Sequence, residues 1–129
     1  VNGLVGSEMC IRDRFGRQWN PKLKTTTENP GIDIKGQPGS SIKTILGGVV
    51  TTITYIRGYG TTIIIDHGGG FYTVYSHVAN IQTSVDSEVK NGEIIAYMGD
   101  SGSINGSKLH FEIWGKGQKL DPEKWLRKK

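Results

Sequence analysis

Apolar and polar residues alternate in short runs along most of the chain, and no stretch repeats at helical spacing for more than about two turns. The clearest run is Lys108-Leu109-His110-Phe111-Glu112-Ile113-Trp114, which reads as a β-strand carrying one imidazole among large apolar side chains. Its counterpart upstream is Asn29-Pro30-Gly31-Ile32-Asp33-Ile34, where alternation turns Asp33 to the face opposite Ile32 and Ile34. A lone Asp is disfavoured in a strand, so this one needs a turn or a partner. The Gln37-Pro38-Gly39-Ser40 turn signal leads into a short strand at residues 41–46. Residues 47–56 form a run rich in Val, Thr and Ile that favours extended structure over helix. After the Arg57-Gly58-Tyr59-Gly60 turn, the continuous apolar centre of residues 61–66 predicts a strand buried on both faces.

His67-Gly68-Gly69-Gly70 closes a hairpin with the returning strand at residues 71–77, and His67 at its tip reads as solvated or turn-capping. Residues 84–96 read as strand, turn, strand around Asn91-Gly92, a strong hairpin dipeptide. Residues 15–28 read as a polar loop, 78–82 as one helical turn, and 98–107 as a long loop of the kind that borders binding sites. Asp121 and Pro122 predict one C-terminal helical turn, capped by Asp121, that packs Trp125 and Leu126. Seven or more strands separated by turn signals indicate an all-β antiparallel sandwich or barrel.

Composition narrows this picture in a few respects. A length of 129 residues predicts one domain, and 19 glycines with 22% charged residues suit a turn-rich β protein. No run approaches the ~20 apolar residues of a helical membrane span. Ser7-Glu8-Met9-Cys10-Ile11-Arg12-Asp13-Arg14 resembles translated sequencing-adapter read-through, so residues 1–14 are expected to be a non-native leader and residues 15–129 the domain. Cys10, the lone cysteine, lies in that segment and says nothing about redox compartment. The net charge of +4 is concentrated by Lys116, Lys119, Lys124, Arg127, Lys128 and Lys129 at the C-terminal end. It suits an acidic envelope polymer or an acidic partner, or a solvated basic tail. Nucleic acid is excluded as a partner, because no recognition helix or interleaving of aromatic and basic residues accompanies the charge.

Three motifs taken in order give the chain a family likeness: Asn29-Pro30-Gly31-Ile32-Asp33, Tyr75-Ser76-His77 and Lys108-Leu109-His110. They resemble the lysostaphin/LytM-type zinc endopeptidases of bacterial cell walls, whose motifs are His-x-x-x-Asp and a late His-x-His. The likeness extends over about residues 15–126, and both motifs are broken. It implies a β-sandwich of the duplicated hybrid motif type. It also implies that Asp33 and His110 are retained metal ligands, that Asn29 replaces a ligand His, that His77 is a retained catalytic acid/base, and that Lys108 replaces a catalytic His. The departures are similar to those of the degenerate LytM-type domains of murein hydrolase activators (EnvC-like proteins). The resemblance therefore implies a non-catalytic domain of the periplasm or cell envelope that regulates or activates cell-wall amidases in peptidoglycan remodelling and cell separation. Its implied partners are an amidase or other envelope protein, and peptidoglycan.

Ligand chemistry bears on whether zinc is expected. Catalytic zinc is usually held by three protein ligands with one position open, and here two remain. The Asn29 amide is a poor substitute for imidazole. An ammonium about 5 Å from a divalent ion at an effective dielectric near 20 is repelled by roughly 6–7 kcal/mol. No cofactor is therefore expected, and Lys108 has a simpler partner in Asp33, on the face they would share. Asn29, Asp33, His77, Lys108 and His110 then frame a groove for binding. Each residue alone also has a plainer reading: a turn carboxylate, a hydrogen-bonded core imidazole, a strand-edge charge. Two other functions stay open. One is an active zinc endopeptidase with an atypical site and His77 as base. The other is a lipoyl- or biotinyl-like carrier suggested by Gly47-Gly48-Val49-Val50 and Val89-Lys90-Asn91-Gly92-Glu93, although neither residues 57–60 nor 67–70 offer the hairpin-tip lysine a carrier needs.

Overall fold

The computed structural model describes residues 10–13, 15–37, 39–99, 108–122 and 124. Their strands are β1 (Cys10–Asp13), β2 (Gly16–Asn20), β3 (Thr25–Asn29), β4 (Ile32–Lys35), β5 (Ser41–Lys43), β6 (Gly48–Ile56), β7 (Gly60–Gly68), β8 (Phe71–Ser76), β9 (Val78–Ala79), β10 (Glu88–Val89), β11 (Ile94–Met98), β12 (Lys108–Gly115) and β13 (Gln118–Leu120). An eight-stranded sheet runs β1-β4-β12-β8-β7-β6-β10, with β13 also paired to β12. A three-stranded sheet runs β5-β11-β9, and β2-β3 is a separate hairpin. All strand pairs are antiparallel. Among the described residues no helix is long and apolar enough to cross a membrane.

Period-two alternation decides which side chains enter the core. Ile32 and Ile34 of β4, Leu109, Phe111 and Ile113 of β12, Tyr75 of β8 and Ile63 and Ile65 of β7 are buried on one side of the large sheet. They share a cluster with Ile42, Ile95, Ala96, Met98 and Val78 from the small sheet, so the molecule is an antiparallel sandwich. On the opposite face of β7 Thr62 is buried and Ile64 half-buried, so the burial on both faces that the continuous run suggested is complete at Thr62 and partial at Ile64.

Several local expectations are corrected. Residues 15–28 are largely a hairpin rather than a loop, because Thr25, Thr26 and Thr27 are β-branched and pair with Asn20, Trp19 and Gln18. Val78 and Ala79 do not start a helical turn. They pair with Met98 and Tyr97, a tertiary contact that local propensity cannot show. The Lys90 to Glu93 turn forms, with the Glu93 N–H on the Lys90 carbonyl at 3.0 Å. Its two arms do not pair with each other: β10 joins β6 and β11 joins β5, so this turn links the two sheets. His67 is neither solvated nor a cap. Its Nδ1–H donates to the Gly47 carbonyl at 2.8 Å and its Nε2 meets the Thr73 hydroxyl at 2.7 Å. Thr73 in turn donates to the buried Tyr75 hydroxyl at 2.9 Å, which meets Thr44 at 3.3 Å. Residues 10–13, assigned above to the leader, pair along the outer edge of β4. The Lys124 N–H donates to the Asp121 carbonyl at 3.2 Å, as a C-terminal turn requires, while the expected packing of Trp125 and Leu126 and the loop at 100–107 lie outside the described residues.

Gly31 holds the entry to β4 against β12. A Cβ there would overlap the Phe111 carbonyl oxygen and come within 2.7 Å of Glu112 Cγ. Gly31→Ala is expected to lower the unfolding free energy by about 1–3 kcal/mol, the usual range for overpacking a tight contact. Urea unfolding with an unchanged slope checks this.

Candidate functional site

Since Leu109, Phe111 and Ile113 point inward, Lys108, His110, Glu112 and Trp114 stand on the outer face of β12. Register then brings Asp33 of β4 to one flank of His110 and Ser76 of β8 to the other. The outcome is a chain of polar contacts. His110 Nδ1 lies 2.5 Å from Asp33 Oδ1, and its Nε2 lies 2.7 Å from Glu112 Oε2. Lys108 Nζ donates to Asp33 Oδ2 at 3.4 Å, and Trp114 Nε1 donates to Glu112 Oε1 at 2.7 Å. Ionised carboxylates only accept, so the ring is assigned a proton on each nitrogen. Asp33, Glu112, Lys108 and protonated His110 then sum to zero charge.

Burial alone would push the His110 pKa down, but the hydrogen bonds to Asp33 and Glu112 and their charges outweigh it and hold it above its ordinary 6.5. Burial alone would raise Glu112. The hydrogen bonds from His110 and Trp114, with the charges of His110 and Lys119, instead hold it below its ordinary 4.5. The signs fix the pH response. A raised imidazole pKa stabilises fully below 6.5, and this is lost as pH rises through the folded value. A lowered carboxyl pKa stabilises above 4.5, and this is lost as pH falls through the folded value. Stability contributed by this pair should therefore be greatest between about pH 4.5 and 6.5 and decline on both sides. Melting temperatures across about pH 3–9 check it, with His110→Phe expected to flatten the alkaline decline.

His77 sits beside this chain, buried and in a left-handed conformation at φ 65° that β-carbon sterics disfavour. Its N–H donates to the Tyr59 carbonyl at 2.9 Å, and its own carbonyl accepts from the Gly99 N–H at 3.1 Å, which hold it there. The Tyr59 ring covers the site, centred 5.0 Å from His110 and 6.4 Å from His77. Burial, and then the charges of Glu112 and Asp33, raise the Tyr59 pKa above 10.0. Asn29 is turned toward its own backbone, its Oδ1 accepting from the Gly31 N–H at 3.1 Å. Asn29 also lines a hollow of about 380 Å³ with Phe15, Glu28, Pro30 and Lys119. Asp33, Lys108 and His110 are thus in direct contact, His77 adjoins them through Tyr59, and Asn29 lies at the neighbouring hollow. Glu112 and Tyr59 were missed by sequence reasoning. Glu112 had a signal, since it is two residues from His110 on one strand face, whereas Tyr59 in a turn had none.

This donor set does not fit zinc. Ligand atoms about 2.0–2.1 Å from a tetrahedral ion stand roughly 3.3 Å apart, whereas Asp33 and His110 are in direct hydrogen-bond contact. The remaining ring nitrogen is bonded to Glu112. Among the described residues no group of three or more His, Cys, Asp or Glu is placed to hold a metal ion.

Comparison with known proteins identifies the family. Residues 27–122 match peptidase family M23. The chain is 44% identical over 99 residues to outer membrane antigenic lipoprotein B of Haemophilus influenzae, covering 76% of this chain and 24% of that protein. It is 33% identical over 113 residues to the murein hydrolase activator EnvC of Escherichia coli, covering 88% of this chain and 26% of that protein. The chain therefore spans about a quarter of the length of these relatives. In structure it resembles a point mutant of the catalytic domain of the prophage-encoded M23 protein EnpA from Enterococcus faecalis, at TM-score 0.78 and 26% identity over 92% of each chain. By the match over residues 27–122 and the sandwich that carries it, the chain belongs to peptidase family M23.

Proposed function

We propose that this is a non-catalytic LytM-type domain of the periplasm or cell envelope that regulates or activates a cell-wall amidase in peptidoglycan remodelling and cell separation. One observation supports the reading: Asp33 and His110, the two residues that the resemblance makes retained metal ligands, contact each other and are joined by Glu112 and Lys108 in a charge-balanced set. Similarity to a protein described as a murein hydrolase activator supports it. On this reading a partner docks over Tyr59, which lies against His77 and His110, and over the hollow that Asn29 lines, while Asp33 and Lys108 support that surface from beneath as an ion pair.

The experiment pairs two measurements on the purified chain. Elemental analysis after dialysis should find no stoichiometric zinc, and the domain alone should release no peptides from purified peptidoglycan while raising the hydrolysis rate of an added cell-wall amidase. One zinc per chain with peptide release would establish an endopeptidase instead. An amidase rate that does not change would remove the regulatory role.

A further inference from the structure

We propose that the far end of β12 carries a second binding site, a hollow that takes a saccharide bearing a carboxylate. Tyr72 and Trp114 are cross-strand partners on the outer face of the large sheet, both half-buried, with ring centres 6.5 Å apart and planes tilted by 55°. They wall a hollow of about 360 Å³ completed by Gly70, Gly117, Gln118 and Lys119. That volume lies within the range of small-ligand clefts, about 300–1,000 Å³. Two hairpin tips frame it and are tied together, because the Lys116 N–H donates to the Gly70 carbonyl at 3.0 Å. The left-handed conformations of Gly70, Lys116 and Gly117 (φ 85°, 51° and 82°) shape those tips. The hollow is therefore formed before any ligand arrives.

Its chemistry favours a sugar over an extended peptide. Phe71 and Tyr72 are paired to strands on both sides, and so are Trp114 and Gly115, so the aromatic wall offers no open backbone ladder for a peptide, and the outer edge of the three-residue β13 is the one short ladder beside it among the described residues. What they offer is aromatic ring face, which packs against the C–H face of a pyranose, with an amide and an ammonium for its oxygens. Lys119 is 53% exposed, with Nζ 6.0 Å from the Trp114 ring centre and 3.9 Å from Glu112 Oε1. Glu112 is already met by His110 and Trp114, so the Lys119 ammonium remains accessible to a second anion. Glu28 lines the other hollow beside Lys119 and repels an anion from that side, so the carboxylate meets the Lys119 ammonium from the side of the Tyr72 and Trp114 hollow. The cell-wall reading enters only in the choice of probe.

The test is an NMR titration of the chain with the disaccharide of N-acetylglucosamine and N-acetylmuramic acid, with neutral chitobiose and an acidic peptide as parallel arms. The acidic disaccharide should shift the Trp114 indole and the amides of residues 70–72 and 115–119. It should bind about two- to fivefold more tightly than chitobiose, the contribution of one exposed ion pair. Tyr72→Ala should weaken binding about tenfold, roughly 1.4 kcal/mol. Lys119→Gln, a surface change that keeps the fold, should bind both sugars equally. The proposal is overturned by an absence of shifts at millimolar sugar, by shifts centred on Asp33 and Lys108, by an acidic peptide that binds where the sugar does not, or by a Lys119→Gln variant that still prefers the acid. Amidase activation by the same preparation is read separately: activation without sugar binding removes the hollow alone, and sugar binding without activation removes the regulatory role alone.

Discussion

Lys108→Glu is expected to lower the unfolding free energy by about 3–5 kcal/mol, the cost of breaking a largely buried ion pair by altering one partner. Two arrangements were open for this residue: a solvated groove cation, or a counter-ion for Asp33. In the structure the ammonium donates to Asp33 Oδ2 at 3.4 Å, and the two side chains are only 17% and 12% exposed. Glutamate would place a carboxylate against Asp33, with Glu112 two contacts away through His110. Lys108→Met, which removes the charge without reversing it, should cost less. Urea unfolding of both variants decides the matter. A glutamate variant within ~0.5 kcal/mol of the parent would mean a solvated lysine, the ordinary behaviour of surface positions.

The second large effect is a gain of metal binding. Asn29→His together with Lys108→His removes the ammonium and supplies the third imidazole or carboxylate that catalytic zinc usually requires. The double variant should take up one zinc per chain, and zinc at about 100 times its dissociation constant should stabilise it by about 2.7 kcal/mol. Unfolding of the parent should not respond to zinc. The Asp33 and His110 contact must open for this, so zinc uptake should release the imidazole proton and weaken as pH falls. A folded double variant that stays metal-free would show that Asn29 does not occupy the position of the missing ligand.

The parts of the fold legible in the sequence were those governed by period two. The run from Lys108 to Trp114 placed Leu109, Phe111 and Ile113 inward and the alternate residues outward, and it aligned Lys108 with His110 on the side that meets Asp33. What local pattern could not show was pairing at a distance. Asn91-Gly92 makes its turn, yet β10 pairs with β6 and β11 with β5 rather than with each other. The threonines at 25–27 form a strand because β2 lies beside them. His67 looked like a tip residue because three glycines follow it, but the Gly47 carbonyl and Thr73 draw it inward. At the site, the pairing of Asp33 with Lys108 followed from face and register. Alternation puts Glu112 on the face of His110, but only the folded side chain turns its carboxylate back along the strand to the imidazole. Tyr59 covers His110 from a turn that lies far away in sequence, and no local pattern marks it for that place.

The position of β12 has a consequence for how the chain is made. It is nearly the last strand in order, yet it sits in the interior of the large sheet between β4 and β8. Asp33 and His110 meet across 77 residues. Closing so long a loop before any contact rewards it slows folding, and sandwiches dominated by such contacts typically fold over milliseconds to seconds. Until β12 docks, β4 and β8 each present a bare edge with Ile32, Ile34 and Tyr75 nearby, the arrangement that recruits strands from other molecules. A chain cut short before residue 108 should therefore aggregate rather than persist as a weaker version of the domain.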